Sequence, residues 1–182
     1  MKLGYKSQTQ QKNIAWYLPR PKRDHYKGGM PLYVEEWLLQ LARELLGGSE
    51  GDGNMPAILN LFCGMNKYGY RIDIKPEVKP NVLADAHDFA DKICNKRFKV
   101  ILADPPYSDE EAKELYGTPK LKYKKWTAEC DKVLESGGLL IVYHKYVVPN
   151  PNPEKYEVVK RVFIGSRTWH LPRVAIFFRK RT

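Results

Sequence analysis

The sequence contains few cysteines and no long apolar segment. Its 182 residues include only three cysteines, Cys63, Cys94 and Cys130. An odd number of widely spaced cysteines suits neither a disulfide framework nor a zinc site built from Cys-x-x-Cys pairs. We therefore expect free, buried thiols and no bound metal. No apolar run approaches the roughly 18 residues that cross a membrane, and the first residues lack the apolar core of a signal peptide. We expect a cytoplasmic protein.

A glycine-rich G-x-G-x-x-G turn is also absent after the first predicted strand. Such a turn brings a dinucleotide pyrophosphate against the N-terminus of a helix. Its absence argues against a nicotinamide-dependent oxidoreductase. No internal repeat is visible, and the length suits one compact domain with a sizeable core.

Basic residues are in clear excess. Thirty-one Lys and Arg against 21 Asp and Glu give a formal charge of +10, an imbalance that favours polyanionic partners. They cluster in the stretches PRPKRDHYK (19–27), KLKYKKW (120–126) and FRKRT (178–182). The first two clusters interleave aromatic rings, as nucleic-acid-binding surfaces do. The charge pattern therefore predicts a nucleic-acid partner.

The chain divides into a basic N-terminal arm, residues 1–30, and a single domain, residues 31–182. Periodic apolar residues predict a helix from Pro31 to Leu46. Beyond it, helical patterns, including one over residues 89–94, alternate with predicted strands at 57–63, 70–74, 81–86, 98–103 and 139–145, and 136–138 (SGG) ends the last helix. Two further strands, 157–165 and 173–180, form a hairpin. This order predicts an α/β fold with a mostly parallel central sheet, helices on both faces and a C-terminal antiparallel hairpin.

The stretch KVILADPPYSDEEAKELYG, residues 99–117, joins a strand to a helix through two prolines. Proline cannot continue a strand ladder, so the strand must stop before Asp104. Ser108 is predicted to cap the helix, and Glu111 to reach back and complete a capping box. Asp104 to Tyr107 therefore form a short, stiff loop.

Three successive predicted strands end in an acid, namely Asp73, Asp85 and Asp104. The carboxyl ends of parallel strands share one edge of the sheet, where ligands bind in doubly wound folds. We therefore expect the three carboxylates to converge on one crevice. Asp88 is an alternative to Asp85, although it could instead cap the following helix.

The D-P-P-Y loop and the strand-end acids together resemble class I S-adenosylmethionine-dependent methyltransferases. The loop looks like that of the amino-methyltransferase branch, which includes DNA adenine methyltransferases, and the resemblance covers about residues 57–182. It implies a Rossmann-like methyltransferase fold and S-adenosyl-L-methionine as cofactor. Asp73 would take the ribose hydroxyls and Asp85 the adenine amine. The implied cofactor-binding residues are Phe62, Cys63, Gly64, Asp73, Asp85 and Ala86, and the implied catalytic residues are Asp104, Pro105, Pro106 and Tyr107.

The reaction implied by this resemblance is methyl transfer to an exocyclic amine of a nucleic-acid base, with adenine N6 in DNA as the first choice. Asp104 and the Pro105 carbonyl would accept hydrogen bonds from the amine, and Tyr107 would stack on the base. The alternatives are a base amine in RNA, such as guanine N2 of ribosomal or transfer RNA, cytosine N4 in DNA, and a catalytically silent nucleic-acid-binding module.

One departure from the family pattern lies between the first two strands. Only GMNKYG, residues 64–69, separates them, which is too short for the helix usually found there. We expect one face of the sheet near the cofactor to be less covered as a result. The N-terminal arm, a partner chain or an oligomer would then cover that face or read the substrate.

Overall fold

The computed structural model describes residues 30–31, 33–48, 56–117, 120–165 and 172–182. The N-terminal arm predicted over residues 1–30 therefore lies outside the described residues, apart from Met30. In the described part of the chain, no helix is both long and apolar enough to cross a membrane.

The described residues form one seven-stranded sheet, in the order β3-β2-β1-β4-β5-β7-β6. The strands are β1 (Ile58–Leu61), β2 (Tyr70–Asp73), β3 (Val82–Leu83), β4 (Phe98–Ala103), β5 (Leu134–His144), β6 (Tyr156–Ile164) and β7 (Arg173–Lys180). Pairing is parallel from β3 through β5, and β7 runs antiparallel to both β5 and β6. The predicted fold, a mostly parallel sheet closed by an antiparallel hairpin, is confirmed.

Three α-helices lie within the described ranges: α1 (Val34–Leu45), α2 (Asp109–Tyr116) and α3 (Tyr123–Val133). The first begins at Val34 rather than at Pro31, and it ends where the glycines predict. The N–H groups of Leu46, Gly47 and Gly48 bond the last carbonyls of α1. Gly47 has a φ of +86°, which glycine adopts without steric cost.

The start of β5 differs from the prediction. The stretch 136–138 does not end a helix, because α3 already ends at Val133 and the glycines lie inside β5. There the register with β4 shifts from Phe98 opposite Leu134 to Val100 opposite Leu139. Gly137 has a φ of +75°, as bulges often require of glycine. The glycines therefore bulge a strand instead of stopping a helix.

The segment at 89–94 forms only one 3-10 turn, Ala90–Ile93, instead of the predicted helix. Residues three apart share a face of such a turn, so Ala90 and Ile93 are buried while Cys94 is exposed. The three cysteines are free thiols as predicted, and Cys63 and Cys130 are buried. The expectation that all three are buried is wrong for Cys94.

Helices pack on both faces of the sheet. On one face, α1 places Leu38, Leu39 and Ala42 against a core that includes Val100 and Leu102 of β4. The alternate β4 residues, Ile101 and Ala103, belong to the core of the other face with Trp126 and Cys130 of α3. On its own face, α1 shares this core with Ile58 of β1 as well as with β4. The last strand also holds this helix, because Arg179 Nη2 donates to the carbonyl of Leu45 (2.6 Å).

Glu35, in the first turn of α1, holds the short connection between β1 and β2. Its carboxylate accepts hydrogen bonds from the backbone N–H groups of Lys67 (2.9 and 3.0 Å to the two oxygens) and Tyr68 (3.0 Å), and from Asn60 Nδ2 (2.8 Å). A side chain at Gly69 would place its Cβ 2.6 Å from the carbonyl oxygen of Ile58, so only glycine fits there. One carboxylate and one glycine thus make an unusually short connection possible.

We expect Glu35→Ala to destabilise the protein by about 1–3 kcal/mol, because it leaves several polar groups without their acceptor. The measurement is chemical denaturation monitored by circular dichroism. Glu44→Ala, an exposed acid on the same helix, serves as the control and should change stability by less than about 0.5 kcal/mol. Equal effects of the two substitutions would contradict this role of Glu35.

Candidate active site

A cleft opens at the carboxyl ends of β1 to β4. Its volume, counted together with the part that is open to solvent, is about 490 Å³. Strand order reverses between β1 and β4, which is where doubly wound sheets bind their ligands. The residues that line the cleft come from the strand ends and from the loop before α3: Leu61, Phe62, Ile72, Asp73, Ile74, Ala84, Asp85, Ala86, His87, Pro106 and Leu121.

The loop after β1 forms one wall of the cleft. Phe62 has a φ of +57°, an uncommon and strained conformation for a non-glycine residue. Its ring meets that of Trp126 edge to face, with 5.5 Å between the centroids. Gly64, at a φ of +46°, is fixed from both sides. Its N–H donates to Asp73 Oδ2 (2.9 Å), and its carbonyl accepts from Arg71 Nη2 (2.9 Å).

Asp73 is a buried carboxylate at the end of β2, and its relative exposure is only 4%. Besides the bond from Gly64, its Oδ1 accepts from the backbone N–H of Lys75 (3.0 Å). An ionised carboxylate has about four acceptor positions, so each oxygen keeps capacity for a ligand donor. Cys63 follows Phe62 in the loop after β1. It is buried and is not among the residues that line the cleft, and burial raises the pKa of its thiol to about 12. The thiol therefore stays protonated near neutral pH and is a poor nucleophile.

Asp85 follows β3 and also lines the cleft. Its Oδ1 accepts from the backbone N–H of His87 (2.8 Å) and lies 2.7 Å from His87 Nδ1. The other ring nitrogen, Nε2, accepts from the backbone N–H of Lys122 (2.9 Å). Asp88, the alternative to Asp85, instead forms an exposed ion pair with Lys92 (2.9 Å). The geometry thus favours Asp85 over Asp88 as the carboxylate of the cleft.

The D-P-P-Y loop follows β4, and its Pro106 lines the cleft. The cap of α2 differs slightly from the predicted capping box. The Ser108 hydroxyl accepts from the Glu111 N–H (3.2 Å) as expected, but the Glu111 carboxylate accepts from the N–H of Tyr107 (2.6 Å) rather than from that of Ser108. The loop is therefore tied to the helix that follows it.

Asp104 is partly buried beside the cleft rather than among the residues that line it. Its Oδ1 accepts a hydrogen bond from the Tyr107 hydroxyl (3.0 Å). The guanidinium of Arg173 lies over the Tyr107 ring, 4.8 Å from its centroid, and the His144 ring meets the same tyrosine edge to face at 5.1 Å. The structure thus brings Asp73 and Asp85 into the cleft and places Asp104 next to it, connected through Pro105 to Pro106.

Burial raises the pKa of Asp104 to about 8, although the Tyr107 hydrogen bond and the charge of Arg173 pull it down and Glu111 adds to the rise. Burial also lowers the pKa of His144 to about 4, and the charge of Lys145 acts in the same direction. His144 is therefore neutral near pH 7. The pKa of Asp104 lies close to neutral pH, so small changes in its surroundings decide whether the carboxyl is protonated or ionised.

Sequence reasoning missed Arg173 and His87. Arg173 opens β7, far along the chain, and no local pattern connects it to Asp104. His87 did carry a signal, since Asp-x-His places the histidine N–H within reach of the aspartate in an Asx turn. In the described ranges, no group of three His, Cys, Asp or Glu side chains is arranged to hold a metal ion.

Comparison with known proteins identifies the fold. No family model and no curated protein matches the sequence. The N-methyltransferase NodS from Bradyrhizobium japonicum WM9, solved with S-adenosyl-L-homocysteine, superposes with a TM-score of 0.56 at 15% identity, over 81% of this chain and 86% of its own. TrmN from Thermus thermophilus gives 0.56 at 15% identity, over 85% of this chain and 50% of its own. A putative methylase from Haemophilus influenzae superposes with a TM-score of 0.52 at 13% identity, over 81% of this chain and 99% of its own.

The chain has a Rossmann-like methyltransferase fold. The Rossmann-like fold implied by the D-P-P-Y loop and the strand-end acids is confirmed, and the structure adds the strand order, in which β7 lies antiparallel between β5 and β6. At 13–15% identity the similarity is one of fold, so the roles of individual residues depend on the geometry of the cleft.

We expect the Asp104 carboxyl to make stability fall as pH rises. Its pKa is about 8 in the folded protein and about 3.9 when unfolded, so between these values the folded state holds a proton that the unfolded state lacks. Its contribution is therefore present at low pH and lost as pH passes 8, with a slope of at most about 1.4 kcal/mol per pH unit. Denaturation at pH 5 to 9 should show Asp104→Asn gaining stability relative to the unsubstituted protein as pH rises.

Tyr107→Phe is the matched variant for this measurement, because it removes the hydrogen bond that lowers the Asp104 pKa. In Tyr107→Phe, the pH at which the Asp104 contribution to stability is lost should therefore be higher. A pH-independent difference between Asp104→Asn and the unsubstituted protein would contradict the assignment.

Proposed function

We propose that this protein transfers a methyl group from S-adenosyl-L-methionine to the exocyclic amine of a nucleic-acid base, with adenine N6 of DNA as the substrate. The observation that carries the proposal is the position of Asp104. It stands in a D-P-P-Y loop at the end of β4, beside a cleft at the switch point of a methyltransferase fold.

The cleft fits the cofactor chemically. Its walls are mainly apolar, with Phe62, Ile74 and Leu121 suited to a purine ring, and its carboxylates lie on separate strand ends. Asp73 would accept from the ribose hydroxyls and Asp85 from the adenine amine, while the loop Phe62–Gly64 would face the methionine part. When bound, the cofactor supplies a sulfonium-activated methyl group. The solved complex of NodS with S-adenosyl-L-homocysteine supports this fit at the level of the shared fold.

Asp104 and the Pro105 carbonyl would act on the amine. An aromatic amine is a weak nucleophile because its lone pair is delocalised into the ring. Two acceptors that hold its N–H groups favour the pyramidal form, whose lone pair is free for an in-line attack. The prolines fix both acceptors, so little reorganisation is needed. The carboxylate must be ionised for this role. Burial, which raises its pKa to about 8, opposes ionisation, whereas the Tyr107 hydroxyl and Arg173 favour it.

The Tyr107 ring contributes to the same site from within the protein. The Arg173 guanidinium covers the Tyr107 ring, and the Tyr107 hydroxyl donates a hydrogen bond to Asp104. In this conformation Tyr107 orients the Asp104 carboxylate. The role of stacking on the target base, which the family resemblance implies for Tyr107, stays a proposal. Tyr146 offers a second aromatic surface, since it is 56% exposed and its ring lies 5.6 Å from that of His144.

A nucleic-acid substrate is supported by charge and by these aromatic side chains. The formal charge of +10 favours a polyanion. The Lys145 ammonium lies over the Tyr146 ring at 5.1 Å, and the His144 ring contacts both Tyr146 and Tyr107 of the D-P-P-Y loop. A base must leave its duplex stack to reach Asp104, and stacking on an aromatic ring, worth about 1–3 kcal/mol, offsets part of that cost.

The direct test is transfer of labelled methyl from the cofactor to duplex DNA, single-stranded DNA and total RNA in parallel, followed by nucleoside analysis. We expect N6-methyladenine in DNA. Methyl groups on RNA, on cytosine N4 or on guanine N2 would overturn the choice of substrate while keeping the chemistry. Cofactor binding without transfer to any polymer would favour a silent nucleic-acid-binding module.

The two carboxylate roles predict opposite defects. Asp104→Ala should lower the transfer rate by at least about 100-fold, since it removes a positioned acceptor, with cofactor affinity within about threefold of the unsubstituted protein. Asp73→Ala should instead act mainly by weakening cofactor binding, as measured by isothermal titration calorimetry. The reverse pattern would mean that the two sites are exchanged. Glu44→Ala, exposed on α1, is the control for both measurements.

A further inference from the structure

A continuous hydrogen-bonded bridge runs through the His87 ring in the wall of the cleft. Asp85 Oδ1 lies 2.7 Å from Nδ1, and Nε2 lies 2.9 Å from the backbone nitrogen of Lys122. The bridge joins the loop after β3 to the residue that precedes α3. These two segments are 35 residues apart in the chain, and neither belongs to a strand.

The direction of each bond fixes the state of the ring. A backbone N–H can only donate, so Nε2 must accept from Lys122 and carries no proton. The ring proton then sits on Nδ1 and is donated to Asp85. A neutral imidazole with one defined tautomer thus satisfies both partners, and a doubly protonated ring could not.

The bridge lies at the wall of the cleft. Asp85, His87 and Leu121 all line it, and Leu121 directly precedes the bonded N–H of Lys122. Leu121 is half-buried and packs against the core that contains Trp126. Tyr123, the next residue but one, donates its hydroxyl hydrogen to the carbonyl of Pro149 (2.7 Å), which holds the start of α3 from the other side.

We propose that His87 is a positioning residue that clasps the segment 120–122 onto Asp85 and so shapes the end of the cleft that receives the adenine ring. The clasp aims the Asp85 carboxylate and keeps Leu121 over the cleft before the ligand arrives. Pre-ordering of both walls lowers the entropy cost of binding. The part of this inference that concerns the ligand rests on the proposed function, and the hydrogen-bonded bridge itself does not.

His87→Gln and His87→Ala separate the clasp from simple packing. A glutamine amide can donate to Asp85 through its NH₂ group and accept from Lys122 through its oxygen, whereas alanine can do neither. Asp88→Ala is the matched control, because Asp88 is exposed, pairs with Lys92 and does not line the cleft.

The first readout needs no ligand. Amide hydrogen exchange at Lys122, followed by NMR, reports directly on the bond to Nε2. We expect exchange to accelerate at least about tenfold in His87→Ala, as loss of a hydrogen bond of about 1.4 kcal/mol implies. It should stay near the original rate in His87→Gln and Asp88→Ala. The imidazole ¹⁵N shifts of the unsubstituted protein should show the Nδ1–H tautomer, which checks the bridge even if a variant fails to fold.

The second readout is the dissociation constant of S-adenosyl-L-homocysteine by calorimetry. His87→Ala should raise it about 5- to 30-fold, as loss of one or two hydrogen bonds implies, and His87→Gln should restore most of the affinity. Unchanged Lys122 exchange in His87→Ala, or the opposite tautomer, overturns the clasp. Faster exchange with unchanged affinity overturns its role in binding. Failure of the unsubstituted protein to bind the ligand at all overturns the proposed function, which the exchange result distinguishes from failure of the clasp.

Discussion

The parallel pairing of β1 with β2 on one side and β4 on the other is the constraint on which the site depends. It brings the carboxyl ends of these strands to one edge of the sheet. The loops that leave the carboxyl ends of β1 and β4 run in opposite directions, toward β2 and toward β5. No connection therefore crosses the gap between the ends of β1 and β4. Phe62, Asp73 and Pro106, which are far apart in the sequence, therefore line one cleft. The chemistry of that cleft is decided by whichever side chain happens to follow each strand.

Much of this arrangement could be predicted from local signals. Apolar runs that stop at an acid or a proline located β2, β3 and β4, and their order along the chain made a parallel sheet the simplest solution. The acids at these ends then had to share an edge, and Asp73 and Asp85 do line the same cleft. The Ser108 cap and the glycine stop of α1 were equally local, because each depends on residues within one turn.

The remaining features depend on contacts that no short window of sequence contains. Glu35 reaches the β1–β2 connection from a helix that precedes both strands, and Arg173 reaches Tyr107 from the last strand. The glycines at 136–138 are ambiguous, because the same residues end a helix or bulge a strand according to what lies beside them. Here β4 lies beside them, and Gly138 approaches the Lys99 carbonyl too closely for any Cβ. Tertiary packing therefore overrode the local signal.

The bond between Arg179 and the end of α1 has a consequence for the order of assembly. It spans 134 residues, and the core beneath α1 draws on Phe177 and Ala175 of the final strand. Helix α1 thus completes its packing only after β7, 134 residues further along the chain, has been made. Until then its apolar stripe faces solvent, and long-range closure of this kind slows folding. A ribosome-bound chain that lacks β7 would expose apolar surface on α1 and on the incomplete sheet. Exposed apolar surface of this kind is what chaperones bind during translation.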